Sequence, residues 1–184
     1  SKAVAAHFGF AHLDTGLLYR AVGAKVLAGA SPVEAALSLD PGDLESDALR
    51  TPAVAQAASE VAVNPEVRAA LTEFQRNFAV REGGAVLDGR DIGTVICPRA
   101  QAKLFVTASA ECRADRRFKE LQDKGMEVNA ADVFADVIAR DKRDTERATA
   151  PLVAAKDAHL IDTSDMTIAQ AVAAAIAFVQ SKLL

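Results

Sequence analysis

The sequence predicts an α/β fold with a parallel sheet, and three observations carry that expectation. Four short apolar runs, FAHLD (10–14), GAVLDG (84–89), KLFVTA (103–108) and AHLIDT (158–163), are each followed by turn-type residues, as buried parallel strands are. Longer helical patterns separate them, and strand–helix alternation is the signature of an α/β sheet. The helices have legible starts in Ser, Thr and Asn caps.

The chain opens on a helix pattern, SKAVAAHFGF, with Val4 and Phe8 on one face, leading into the first run. Thr51-Pro52 and Asn64-Pro65 each read as an N-cap followed by proline at the first helical position. Ser109 caps a helix over AECRADRRFKEL, and Thr167 with Gln170 forms a capping box before an Ala-rich helix over 168–182. Two stretches fit a sheet poorly. Residues 30–80 are helical and loop-like, with SPVEAALSLDPGDLESD expected to be its flexible piece. Residues 109–150 form a charged excursion between two strands, and such excursions sit at strand carboxyl ends, where ligands bind.

With 184 residues and 19.3 kDa, the chain fits one globular domain, with room for a small insert. Apolar residues make up 51%, forty of them alanine, and no apolar run approaches the roughly 20 residues that span a bilayer. The first residues lack the pattern of a secretory signal. A net charge of −4 and pI near 5.4 disfavour a nucleic-acid binder. Cys97 and Cys112 have no CxxC or Cys/His grouping and read as reduced, half-buried thiols of a cytoplasmic protein. His7, His12 and His159 are scattered, with no metal-site spacing.

Three constellations bear chemistry. In LDTGLLYR (13–20), Asp14 and Thr15 end a strand, Gly16 makes the turn, and Tyr19 and Arg20 lie in the first turns of a helix. A helix start plus a guanidinium suits a monophosphate; the plainer alternative is an N-capped helix with a surface Arg. In DGRDIGT (88–94), Asp88 at the strand end resembles the acidic position that holds Mg²⁺ through water in phosphoryl-transfer sites. Arg90 and Asp91 follow, costly there unless solvated or paired, and a local Arg–Asp turn pair is the alternative. The third is the arginine set of the excursion: Arg113, Arg116, Arg117, then Arg140, Arg143, Arg147. Spacings of three and four put each trio on one helix face. Interleaved acids make the region nearly neutral, so it reads as a solvated, salt-bridged face or as a mobile lid closing over phosphates. No glycine precedes a lysine, so GxxxxGK[ST] is absent, as are GxGxxG and GxSxG.

Taken together, these residues resemble the bacterial cytidylate kinases. LDTGLLYRAV is similar to that family's LDSG-x-x-YR stretch, and RTPAVAQAASEVAVNPEVRAAL to its helical CMP-binding stretch. LDGRDIGTVICP is similar to its DGRD-GTVVFP segment, and RDKRDTERATAPL to its RD-x-RD-x-x-R-x-x-x-PL lid motif. The likeness implies a P-loop nucleoside-monophosphate-kinase-like parallel sheet flanked by helices. Its parts would be core (1–29), a helical monophosphate-binding region (30–83), core (84–108), lid (109–150) and core (151–184). DPGDLESDAL stands where longer members carry a β-insert, so the chain resembles the short form.

The implied activity is ATP-dependent phosphorylation of CMP and dCMP, with Mg²⁺ accompanying ATP, in the cytoplasm, by a monomer without nucleic-acid or membrane partners. Asp91 and Ser59 would accept from the cytosine amine, and Arg68 would donate to the ring acceptors. Arg20, Arg90 and Arg147 would clamp the CMP phosphate. Arg140 and Asp144 would face the sugar hydroxyls, and Thr15 and Tyr19 would line the site. Arg143 would meet the transferring phosphoryl group, with Arg90 and Arg147 also catalytic, and Arg113 and Arg117 would cover ATP. Asp88 would hold Mg²⁺ through water. The family's first strand and GxxGxGKGT loop are expected before Ser1. The polypeptide starting at Ser1 is therefore expected to lack appreciable activity, and an inactive nucleotide-binding remnant is the alternative function.

If 109–150 is a lid, its hydrogen exchange should slow markedly when CMP and a non-hydrolysable ATP analogue are added to the full-length protein. Equal protection with and without ligands would leave the solvated face.

Overall fold

Each of the four apolar runs contains a strand of four residues: β1 (Ala11–Asp14), β2 (Ala85–Asp88), β3 (Leu104–Thr107) and β4 (His159–Asp162). The computed structural model describes residues 1–183. β1 pairs in parallel with β2, from Ala11↔Ala85 to Asp14↔Asp88, and β3 in parallel with β4, from Leu104↔His159 to Thr107↔Asp162. Parallel neighbours need long crossovers, and helices fill both. The strands thus form two two-stranded sheets, one in each of two compact units, Ser1–Cys97 and the part from Pro98 onward.

In the first unit α1 (Lys2–Phe8) buries Val4 and ends at Gly9, whose φ of 68° lets the Phe10 N–H reach back to the Ala5 carbonyl at 2.9 Å. α2 (Thr15–Leu27) starts where the Asp14 carboxylate accepts from the Gly16 N–H at 3.0 Å. α4 (Pro52–Val61) and α5 (Pro65–Ala79) start as their sequence signals predict, at Thr51 and Asn64. Between α2 and α4 lies α3 (Pro32–Leu37), then 3₁₀ turns at Pro41–Leu44 and Asp47–Arg50. The stretch expected to be flexible carries a row of capped turns. Ser31 accepts from Glu34 N, Asp40 from Gly42 N and Ser46 from Ala48 N, and Lys25 bridges to Asp43 at 2.8 Å. Polar residues that read as loop composition are here the caps themselves.

The core of this unit joins Leu13 of β1, Leu18 and Val22 of α2, Ala35 and Ala36 of α3, Val61 of α4, and Val67 and Leu71 of α5. A buried Leu or Val side chain contributes roughly 1.5–3 kcal/mol by its removal from water. α2 and α4 meet closely because Gly23 has no side chain.

In the second unit Lys103, 9% exposed, precedes β3 and gives Nζ to the Pro98 carbonyl at 2.6 Å and to the Asp157 carboxylate at 2.8 and 2.9 Å. α6 (Ala110–Asp123) begins at the Ser109 cap, α7 (Ala130–Glu146) follows it, and α8 (Ile168–Leu183) begins at the Thr167–Gln170 box. The strands are less covered than their apolar sequence predicts: Val106 and Leu160 are each 60% exposed, while Ile161 is buried. With two strands per sheet, every strand is an edge strand and each face has few covering neighbours.

A Cβ on Gly23 would lie 2.8 Å from the Ala58 nitrogen, which is backbone and cannot swing aside. Gly23→Ala should therefore cost about 1–3 kcal/mol, outweighing the roughly 1 kcal/mol alanine gains in a helix. Urea unfolding checks this, and an unchanged or raised midpoint would refute the close approach.

Candidate active site

The first unit gathers its polar residues around the carboxyl ends of β1 and β2. Asp14 and Asp88 end the two strands side by side. Thr15, 3% exposed at the start of α2, donates from Oγ1 to the Asp88 carbonyl at 2.7 Å. The Asp88 carboxylate lies 2.8 Å from His12 Nε2. That partner carried no sequence signal, since 76 residues separate the two. Gly89 follows because a Cβ there would meet Thr15 Oγ1 at 2.3 Å.

One turn beyond Thr15, α2 presents Tyr19 and Arg20. The Tyr19 hydroxyl accepts from Arg68 Nη1 at 3.4 Å, and Arg68 Nη2 donates to the Asp91 carboxylate at 2.5 Å. The side chains of Arg68 and Asp91 are 6% and 8% exposed, so both charges have left water together. Each ion costs several kcal/mol to bury alone, and removing one partner of such a pair typically destabilises by about 3–5 kcal/mol. The pair joins residues 23 apart and ties α5 to the segment after β2. Arg20 donates from Nη1 to the Leu49 carbonyl at 2.7 Å, anchoring the second 3₁₀ turn to α2. Ser59 is half-buried on α4, beside the Ala57–Ala58 contact with Gly23, and Arg90 is exposed between β2 and Asp91.

Asp91 opens one wide turn, Ile92–Ile96, closed by i→i+5 hydrogen bonds from Ile96 N to Asp91 O at 3.2 Å and from Cys97 N to Ile92 O at 2.7 Å. Turns of this width are rare and frequent at functional sites. Cys97 and Cys112 are both free and half-buried, as expected, and burial raises the Cys97 thiol pKa.

In the second unit the arginines are held by acids and carbonyls. Arg113 makes a two-pronged pair with Asp141 at 2.6 Å on each prong, linking α6 to α7, and donates from Nε to the Ala108 carbonyl at 3.0 Å. Arg116 donates to Thr163 Oγ1 and to the Thr163 carbonyl, and that hydroxyl donates to the Thr107 carbonyl, so α6 is tied to the carboxyl ends of β3 and β4. Arg117 pairs with Glu120 at 2.8 Å. On α7, Arg140 Nε lies 3.9 Å from Asp144, which is buried and accepts at its carbonyl from Leu152 N at 2.7 Å. Arg143 is exposed on the same helix. Arg147 closes α7 and donates from Nε to the Ala150 carbonyl at 2.6 Å, where Ala150 has a φ of 52°.

Hydrogen bonds thus join Thr15 to the Asp88 carbonyl and Tyr19 to Arg68, and ion pairs join Arg68 to Asp91 and Arg140 to Asp144. No described group of three His, Cys, Asp or Glu residues has metal-binding geometry.

A family model described as cytidylate kinase matches residues 33–181. A protein named cytidylate kinase from Cereibacter sphaeroides (strain KD131) is 64% identical over 176 residues, 96% of this chain and 85% of its own length. Another of that name from Xanthobacter autotrophicus (strain Py2) is 57% identical, covering 99% of this chain and 90% of the relative. A third, from Rhodopseudomonas palustris (strain TIE-1), is 50% identical over 98% and 89%.

Glu120 accepts from Lys124 at 2.6 Å and from Arg117 at 2.8 Å, and these bonds, that of Lys124 first, lower its carboxyl pKa to about 2. A depressed acid stabilises above its unfolded value and loses that contribution as pH falls through the folded one. Glu120→Gln should then destabilise by about 0.2–1 kcal/mol at neutral pH, since the pair is exposed. The gap to wild type in urea unfolding should shrink below pH 4.5. A gap independent of pH would contradict the pairing.

Proposed function

The chain belongs to the cytidylate kinase family, and on that premise we propose that it transfers the γ-phosphoryl group of ATP to CMP and dCMP, giving CDP and dCDP. The fold suits this: parallel strands flanked by helices, with polar residues at strand carboxyl ends, the usual ligand face of α/β sheets. The inactive-remnant alternative is disfavoured by named enzymes 50–64% identical over most of the chain.

The buried Arg68–Asp91 pair beside Tyr19 is the observation that carries the reading of substrate choice. Cytosine offers an exocyclic amine as donor and N3 and O2 as acceptors along one edge. A carboxylate and a guanidinium, each held by the other, match that edge with opposite polarity. Asp91 accepts from the amine, joined by Ser59, and Arg68 donates to the acceptors. A carboxylate has about four lone-pair sites, so pairing with Arg68 does not exhaust Asp91. Thr15 and Tyr19 line this region. Arg20, Arg90 and Arg147 bind phosphate. Arg140 and Asp144 bind sugar hydroxyls, Arg143 meets the transferring phosphoryl group, and Arg113 and Arg117 cover ATP. Arg113 must exchange Asp141 for phosphate oxygens to do so, and the two-pronged geometry suits either partner.

Phosphoryl transfer needs positioning and charge neutralisation rather than a covalent nucleophile. Mg²⁺ is commonly held by one or two carboxylates together with substrate phosphates and waters. Asp88 fits that role: its side chain is 37% exposed at a strand end and oriented by His12. It would hold the ion through water, and the ion would neutralise charge on the phosphates. No described helix is long and apolar enough to cross a membrane. Two free thiols favour a reducing, cytoplasmic setting.

Uracil presents a carbonyl where cytosine presents its amine, so it would set an oxygen against the Asp91 carboxylate. Rejection by leaving buried polar groups unpaired is stronger than rejection by size. Asp91→Asn in the full-length protein should lower kcat/KM for CMP by roughly ten- to a few-hundred-fold, about one charge-assisted hydrogen bond. UMP should lose much less, or gain. Steady-state kinetics at saturating ATP provide the check. An unchanged CMP/UMP ratio would reduce Asp91 to a structural partner of Arg68.

A further inference from the structure

α5 sends two arginines to the segment that begins at Asp91. Arg68 pairs with the Asp91 carboxylate at the entrance, and eight residues on, about 12 Å along the axis, Arg76 reaches the exit. There Nη2 donates to the Val95 carbonyl at 3.1 Å and Nε to the Ile96 carbonyl at 3.3 Å. Between entrance and exit the wide turn folds onto the Asp91 carbonyl, which accepts from Val95 N at 2.8 Å, from Ile96 N at 3.2 Å, and from Thr94 N and Oγ1 at 3.3 Å each. The backbone of Asp91 is thus set by how this turn closes.

The last carbonyls of any helical turn have no donor within it. Here a planar guanidinium spans two successive ones, and its charge also complements the negative end of the turn's dipole. Wide turns are rare and occur mostly as single turns, often at functional sites. Arg76 is an exposed side chain that commits its donors to this task. We propose that Arg76 is a positioning residue for base recognition: by clamping the exit of the wide turn it fixes the backbone from which the Asp91 carboxylate meets Arg68 and the cytosine amine. This rests on the reading of Asp91 as the acceptor for that amine. Arg76 itself touches no substrate atom and acts only through Asp91.

The test is steady-state kinetics of full-length Arg76→Met, Arg76→Lys and Asp91→Asn with CMP, UMP and ATP, alongside thermal unfolding. Arg76→Met should raise KM for CMP about tenfold and lower the CMP/UMP ratio of kcat/KM by a similar factor. KM for ATP should stay within about twofold. Arg76→Lys, which can reach one carbonyl, should fall between Met and wild type. A lower unfolding temperature with the CMP/UMP ratio intact, while Asp91→Asn collapses that ratio, would overturn the proposal and leave the base reading standing. An intact ratio in both Arg76→Met and Asp91→Asn would overturn both. A ratio lost in Arg76→Met but kept in Asp91→Asn would also overturn it, because the effect would not run through Asp91. Should Arg76→Met fail to fold, Arg76→Lys decides by the same split: CMP affinity lost at constant ATP affinity supports the role, and equal or absent changes refute it.

Discussion

The first unit depends on one buried ion pair. Arg68 and Asp91 are both removed from water, and neither charge is tolerable there without the other. Their meeting requires α5 to lie against the segment after β2 at one height and rotation. Tyr19, reaching from α2, adds a third element to the same node. Apolar packing of Leu18, Val22, Val67 and Leu71 brings these helices together without specifying their register to better than a side chain. The ion pair adds directional hydrogen bonds to that packing, and under the proposed function the same pair reads the base edge.

The second unit uses charge differently. On α6, Arg113, Arg116 and Arg117 are held by Asp141, Glu120 and the carbonyls of Ala108 and Thr163. Exposed pairs of this kind contribute little stability each, a median near 0–1 kcal/mol. Such pairs can exchange partners at small cost. A guanidinium held two-pronged by a carboxylate is already arranged as it would be on a phosphate. Arg116 differs from its neighbours in anchoring α6 to Thr163, whose hydroxyl reaches the Thr107 carbonyl.

Much of the local structure was legible because it follows from short-range chemistry. Thr51, Asn64, Ser109 and Thr167 start helices where the sequence says they should, since a cap and the N–H it satisfies lie within three residues of each other. The strands were legible as four apolar runs, and their parallel pairing from the length of the helical connections. Residues 31–47 were less legible: their Ser and Asp composition suits a loop as well as a cap, and Ser31, Asp40 and Ser46 cap three successive turns.

What the sequence alone determined, then, is the order and kind of the elements and the residue types available for phosphate and base chemistry. Only the tertiary structure decided who meets whom. His12 with Asp88, Arg68 with Asp91, Lys103 with Asp157 and Arg76 with the carbonyls of the wide turn join residues 19 to 76 apart. It also decided that Val106 and Leu160, apolar strand residues, stay exposed. The physical reason is the range of the forces: caps and periodicity act within one turn of chain, whereas a buried charge selects its partner by position in space after the core has formed.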